Sequence, residues 1–237
     1  MTKEDEGKQE KQEWTITSVK RDKKEKRRYL LYGDYSDEPY LSLHEDLLIR
    51  HRLMKDQIVS AEQAREIREE DERYRAYLLG IAYLGLKQRT RKQIKQYLIR
   101  KELEEIYIEA ALDRLESEQL VDDEGYARQF AESRMSSGQK GRLMIRHELQ
   151  QRGISKAAAA EALSELNREQ ELAAARVLAS KKSRSLKGDA RTRRSKLMGF
   201  LLRRGFPGDI VRDAIRTADL GTESIDDEED DGVLLDN

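Results

Sequence analysis

The chain has 237 residues, 39% charged and 37% hydrophobic, with 46 Lys and Arg against 47 Asp and Glu. It contains no Cys, which excludes disulfides, thiolate zinc sites and cysteine nucleophiles. No run of about 18 apolar residues offers a membrane span, and the polar start MTKEDEGKQEKQE lacks a signal-peptide core, so the cytoplasm is the expected compartment.

Residues 1–13 read as a disordered leader. The region 14–68 follows. WTITSV (14–19) and RYLLY (28–32) are short, β-branched and aromatic, which predicts two strands joined by the basic hairpin loop KRDKKEKR. PYLSL (39–43) offers a third strand with Pro39 at its start, and EDLLIRHRL (45–53) a short helix. Ser60-x-x-Gln63 has the form of a capping box, with Val59 placed to staple onto Ala64.

From there to about Ala218 the pattern is helical and it repeats. Ile94, Ile145 and Leu197 correspond, as do Leu98, Leu149 and Leu201. Leu103, Ile154 and Phe206 follow, then Ile108, Ala159 and Val211, then Leu112, Leu163 and Ile215. The offsets are 51 and then 52 in all five sets. A period near 50 made of helices predicts an array of small units. The units are bounded as 69–121, 122–167 and 168–218, each opened by a helix, at 73–86, 123–135 and about 169–182. Gly153 and Gly205 suit the left-handed residue that ends a helix. Glu102 holds that place in the first unit, so its turn is expected to differ. Pro207 fits the first turn of the helix that follows. The fold class is therefore mainly α, with tandem three-helix, helix-turn-helix-like repeats in a curved array behind a small β-hairpin region.

In LVDDEGYARQF (120–130), paired acids raise the alternatives of a metal or catalytic site and a helix start. Asp122 as N-cap accounts for the stretch. Its carboxylate meets first-turn amides, Asp123 and Glu124 suit the positive helix end, and Val121 and Tyr126 are spaced as a staple. No metal is expected; His44, His51 and His147 are scattered. No cofactor is expected either, since SSGQKGR lacks the spacing of a phosphate loop. SSGQKG (136–141) reads as a flexible inter-helix loop.

The three-helix repeat, the LVDDEGYARQF joint, the following ELQQRGIS and the basic RSKLMGFLLRRGF together resemble the RecX family of regulatory proteins, over residues 73–217. The resemblance implies a non-enzymatic partner of the RecA recombinase and of RecA–DNA filaments, and a monomer is expected. Such proteins change filament assembly and activity, most often as inhibitors, in recombination, DNA repair and the SOS response. Single-stranded and also double-stranded DNA are the implied nucleic-acid partners. The residues alone also fit a tandem helix-turn-helix DNA-binding protein or transcription regulator.

Charge points toward polyanions. Nine acids and no Lys or Arg lie from Asp219 onward, which leaves 46 basic against 38 acidic residues in 1–218, a net of +8. The candidate DNA- or RecA-binding residues are Lys87, Arg89, Arg91, Lys92 and Lys95 in the first repeat, and Arg142, Arg146 and Arg152 in the second. The third contributes Lys181, Lys182, Arg184, Arg191, Arg193, Arg194, Arg203 and Arg204. Arg91, Arg142 and Arg194 recur at helix starts, where a cation is unfavourable unless an anion meets it there. That anion is a phosphate or a carboxylate. Tyr97, Tyr107 and Phe200 are expected to pack in cores or at their rims. The acidic tail 219–237 is expected either to solubilise the chain or to compete with DNA for the basic body.

Overall fold

The computed structural model describes residues 13–218. The tail 219–237 and the leader up to residue 12 lie outside the described residues, so the expectations for them do too; Glu13, read as the end of the leader, instead lies in the first strand, paired with Ser60. The protein is mainly helical, with a small β-sheet followed by three tandem three-helix domains. It divides into two units between Asp122 and Asp123. Among the described residues no helix is long and apolar enough to cross a membrane.

The first unit opens with β1 (Glu13–Arg21), β2 (Arg28–Gly33) and β3 (Leu41–His44), followed by α1 (Glu45–Arg50) and β4 (Ile58–Ser60). The sheet order is β3-β2-β1-β4, all antiparallel, with a register shift in β1 between Ile16 and Ser18. The period of two sends Trp14 and Ile16 inward onto Leu31, Leu41, Leu43 and Val59. Trp14 also stacks on Tyr40 at 4.8 Å between ring centroids. The third strand begins at Leu41, two residues past Pro39, although the Tyr40 amide already donates to Leu31 O at 2.8 Å. β4 was not foreseen. Three residues are too few to show alternation, and Ile58-Val59-Ser60 becomes a strand only because β1 lies beside it.

Helix α2 (Ala61–Leu84) starts at the foreseen capping box. Ser60 Oγ accepts from Gln63 N, and Gln63 Oε1 accepts from Ser60 N, both at 3.1 Å. Val59 and Ala64 are buried together in the sheet core. One helix serves two cores. Ala64 and Ile67 pack under the sheet, while Ala76 and Tyr77 belong to the first repeat. The helix runs unbroken through residues 68 and 69, where hairpin region and first repeat divide in sequence. Between the two cores sits Asp71, only 2% exposed. Its carboxylate accepts from His44 N at 2.8 Å and from the Arg28 guanidinium at 2.6 Å, which fastens the sheet to the helix.

The first repeat is completed by α3 (Arg91–Ile99) and α4 (Glu105–Ser117). The second unit holds the other two repeats. The second is α5 (Asp123–Ser136), α6 (Arg142–Gln151) and α7 (Lys156–Ser164); the third is α8 (Arg168–Ser183), α9 (Ala190–Arg203) and α10 (Gly208–Arg216). All fifteen residues of the five repeated sets are buried. α5 begins at Asp123, which puts Asp122 in the N-cap position, with Asp123 and Glu124 in the first turn. Val121 is buried with the first repeat's core, and Tyr126 packs against the second's. Pro207 stands one place earlier than expected, as the N-cap of α10 rather than in its first turn.

One expectation is overturned. Glu102 does not make a different turn. Its φ of 60° is left-handed, as at Gly153 (94°) and Gly205 (83°). The amides close alike: Glu102 N to Ile99 O at 2.9 Å, Gly153 N to Gln150 O at 3.0 Å, Gly205 N to Leu202 O at 2.9 Å. Burial of Leu98 and Leu103 on either side dictates the turn, and the side chain is tolerated at a conformational cost. Replacing Glu102 by Gly should therefore stabilise the first unit by about 1 kcal/mol, net of the added freedom of the unfolded chain. Urea unfolding followed by tryptophan fluorescence measures this; a destabilised variant would contradict the assignment.

Candidate polyanion-binding faces

At the first of the recurrent helix starts, Thr90 caps α3 in a second capping box with Gln93. The Thr90-x-x-Gln93 spacing was legible and was missed. Arg91 then points across to α4, where its guanidinium meets Glu109 at 2.5 Å, Asp113 at 2.8 Å and Glu116 at 2.5 Å. Lys95, one turn on, meets Glu105 at 2.9 Å and Glu109 at 2.6 Å. These acids are spaced four, four and three apart, so they form one ridge of α4. The hydrogen bond from Lys95, with that from Arg91 behind it, holds the Glu109 carboxyl below the usual carboxylate range. Burial works against the Arg91 charge, but Asp113, Glu109 and Glu116 outweigh it and raise its pKa.

The second start is answered by another carboxylate. Arg142 opens α6, and its backbone amide donates to Glu171 Oε1 at 2.8 Å while its Nε donates to Oε2 at 2.6 Å. Glu171, on α8, has no exposed surface. The neighbouring amides go to the end of α9: Gly141 N to Arg204 O and Leu143 N to Gly205 O, both at 2.9 Å. Two glycines make this possible. A Cβ on Gly141 would collide with the Gly205 carbonyl, and one on Gly205 with the backbone of Met144. SSGQKG, which links α5 to α6 as expected, is therefore tied at its last residue to the end of α9. Lys140 is anchored as well, through an ion pair with the nearly buried Glu148.

The third start differs. Arg194 on α9 is exposed and meets no carboxylate among the described residues. The same holds for its surroundings. Of the ten cations in 181–204, none is ion-paired to a carboxylate among the described residues. The one acid in that stretch, Asp189, is occupied by a hydrogen bond with Thr192 that lowers its pKa. Lys181 and Lys182 stand in the last turn of α8, Arg184 caps it, and Arg191 and Arg193 lie in the first turn of α9. Arg203 ends α9 and Arg204 caps it.

The cations at helix ends share another role. Lys101 lies 5.6 Å from the Tyr97 ring, Arg152 4.4 Å from Phe130 and Arg204 5.1 Å from Phe200. Arg89 likewise covers Tyr83 at 4.3 Å, and Tyr83 stacks on Tyr97 at 4.2 Å. Tyr97, Tyr107 and Phe200 are partly buried against their repeat cores, as expected. Lys87, Lys92 and Arg146 are exposed. A cleft of about 740 Å³ in the second unit brings Lys181 and Arg204 together with Ser137, Gln139, Gln170 and Val177.

Comparison with known proteins agrees with this architecture. Models of the first, second and third three-helix domains of RecX match residues 76–115, 122–163 and 169–215. The regulatory protein RecX of Oceanobacillus iheyensis is 31% identical over 215 residues, 89% of this chain and 79% of that protein. That of Halalkalibacterium halodurans is 29% identical, covering 90% of this chain and 81% of its own. A crystal structure of regulatory protein RecX aligns with a TM-score of 0.69 at 28% identity, over 84% of this chain and 97% of that one. RecX from Lactobacillus salivarius aligns at 0.60 and 27%, over 64% and 99%.

Replacing Glu171 by Ala should destabilise the second unit by about 2 kcal/mol, because a guanidinium and a helix-start amide lose their acceptor together. The Arg142 amide should also lose protection in hydrogen exchange. An unchanged unfolding midpoint would contradict the role given to this carboxylate.

Proposed function

The chain belongs to the RecX family of regulatory proteins, and on that premise we propose that it binds RecA and RecA–DNA filaments and modulates, most often inhibits, their assembly and activity. In this reading it works without chemistry of its own, as a monomer in the cytoplasm, during recombination and DNA repair. The observation that carries the reading is the contrast in pairing. Arg91, Lys95 and Arg142 are spent on internal carboxylates, whereas the third repeat keeps a run of cations with no carboxylate partner among the described residues.

Unpaired surface cations are the groups that displace counterions from a phosphate backbone. They also meet acidic patches on a protein without the penalty of breaking an internal pair. Several such contacts strung over more than one unit favour an assembled filament over a lone protomer, because once one unit has bound the next is held at high effective concentration. Within this reading the members of the candidate set are unequal. Lys181, Arg184, Arg191, Arg194 and Arg203 contact the filament, and Arg91, Lys95 and Arg142 hold the fold.

Reversing Arg191 and Arg194 to Glu should weaken binding to RecA filaments on single-stranded DNA by roughly tenfold or more, with little change in thermal unfolding. Reversing Arg142 instead should act through stability. Co-sedimentation with filaments, beside a melting curve for each variant, separates the two. Filament binding untouched by the Arg191 and Arg194 reversal would refute the assignment. Tight duplex binding with no affinity for filaments would favour the tandem helix-turn-helix alternative.

A further inference from the structure

We infer that the tip of the β1–β2 hairpin, residues 20–26, is a second nucleic-acid contact that grips phosphates; it rests on the filament reading for the nature of its ligand. The segment KRDKKEKRR (20–28) carries seven cations and two acids, and the fold sorts them. The two cations nearest the body are neutralised. Arg27 meets Glu45 at 2.5 Å, and Arg28 meets the buried Asp71 at 2.6 Å. The other five have no such partner, though Lys20 lies 4.5 Å from the Tyr32 ring centroid. Lys20, Arg21, Lys23, Lys24 and Lys26 are exposed, and none is paired to a carboxylate among the described residues.

The acids within the loop do not cancel them. Asp22 accepts from Lys24 N at 2.7 Å and so shapes the turn, and Glu25 lies 3.5 Å from Arg28. The tip is also held in place. Asp22 N donates to Arg28 O at 2.9 Å, Lys20 and Arg21 are in register with Leu30 and Tyr29, and Glu45 N ties down Arg27 O at 2.8 Å. Arg21, Lys23 and Lys26, with Asp22, line a hollow of about 340 Å³. A tip whose base is already held gives up less entropy on binding.

The composition selects the ligand class. A protein interface needs apolar or aromatic anchors at its centre and is depleted in Lys. Residues 20–27 contain no apolar side chain. A phosphate backbone needs only well-placed cations, and its affinity rests on counterion release.

The test is fluorescence anisotropy of a labelled single-stranded oligothymidine with the full chain, across a range of KCl. The triple variant Lys23→Gln, Lys24→Gln, Lys26→Gln should lower the slope of log affinity against log salt by about 2, since each phosphate contact contributes about 0.7. Affinity at low salt should fall at least tenfold, with an unchanged circular dichroism melt. A second variant, Arg191→Gln with Arg194→Gln, reports on the third repeat separately. Loss in both variants supports the hairpin site. Loss only in the second overturns the hairpin inference and leaves the proposed function standing. Weakened filament binding by the triple variant, with free oligonucleotide binding unaltered, would assign the tip to a protein partner and also overturn it.

Discussion

A carboxylate with no exposed surface organises the second unit. Glu171 takes the Arg142 amide on one oxygen and its guanidinium on the other. That pair, with the backbone contact of Gly141 and Gly205, ties the start of α6 to α8 and to the end of α9. Three-helix units of about 50 residues bury few Leu and Ile and are marginal on hydrophobic contact alone. Their helix ends therefore have to be satisfied by neighbours, and a free amide at a helix start is a strong electrostatic anchor for an anion. The first unit solves the same problem twice, through Asp71 between sheet and helix and through the acid ridge of α4 beneath Arg91.

That use of carboxylates divides the charge into two kinds. Where a cation has an internal acid, removing it costs stability. Where it has none among the described residues, its folding role is limited to contacts such as Arg204 over the Phe200 ring and Lys196 on the Lys187 carbonyl. The second kind includes runs around α8 and α9 and at the β-hairpin tip, with others such as Lys87, Lys101 and Arg146 outside them. Under the proposed function, two compact units, each built on two cores, would present these cations to a polyanionic partner. Affinity for such a partner is expected to be steep in salt and dispersed over many weak contacts rather than held in one pocket.

Much of the fold was legible because its signals are periodic. Fifteen apolar residues at offsets of 51 and 52 all proved buried, and Ser60-x-x-Gln63 proved a capping box. The misreadings share a cause, which is dependence on something distant in sequence. β4 exists because β1 pairs with it. Glu102 adopts a glycine conformation because Leu98 and Leu103 must both reach the core. Nothing local shows that the last glycine of SSGQKG packs against Gly205, more than 60 residues later. For the candidate site, the recurrence of Arg91, Arg142 and Arg194 announced that an anion was wanted at each helix start. It did not say whose. The ridge at 105, 109, 113 and 116 was visible as helical spacing, but nothing in the sequence pointed Glu171 at Arg142.

Action on RecA filaments is tested most directly by single-stranded-DNA-dependent ATP hydrolysis by RecA. The full chain is titrated in at fixed salt, while light scattering follows filament mass. The account predicts that hydrolysis falls at amounts below one chain per RecA protomer, together with loss of scattering. Hydrolysis and scattering that hold steady up to equimolar chain would contradict it.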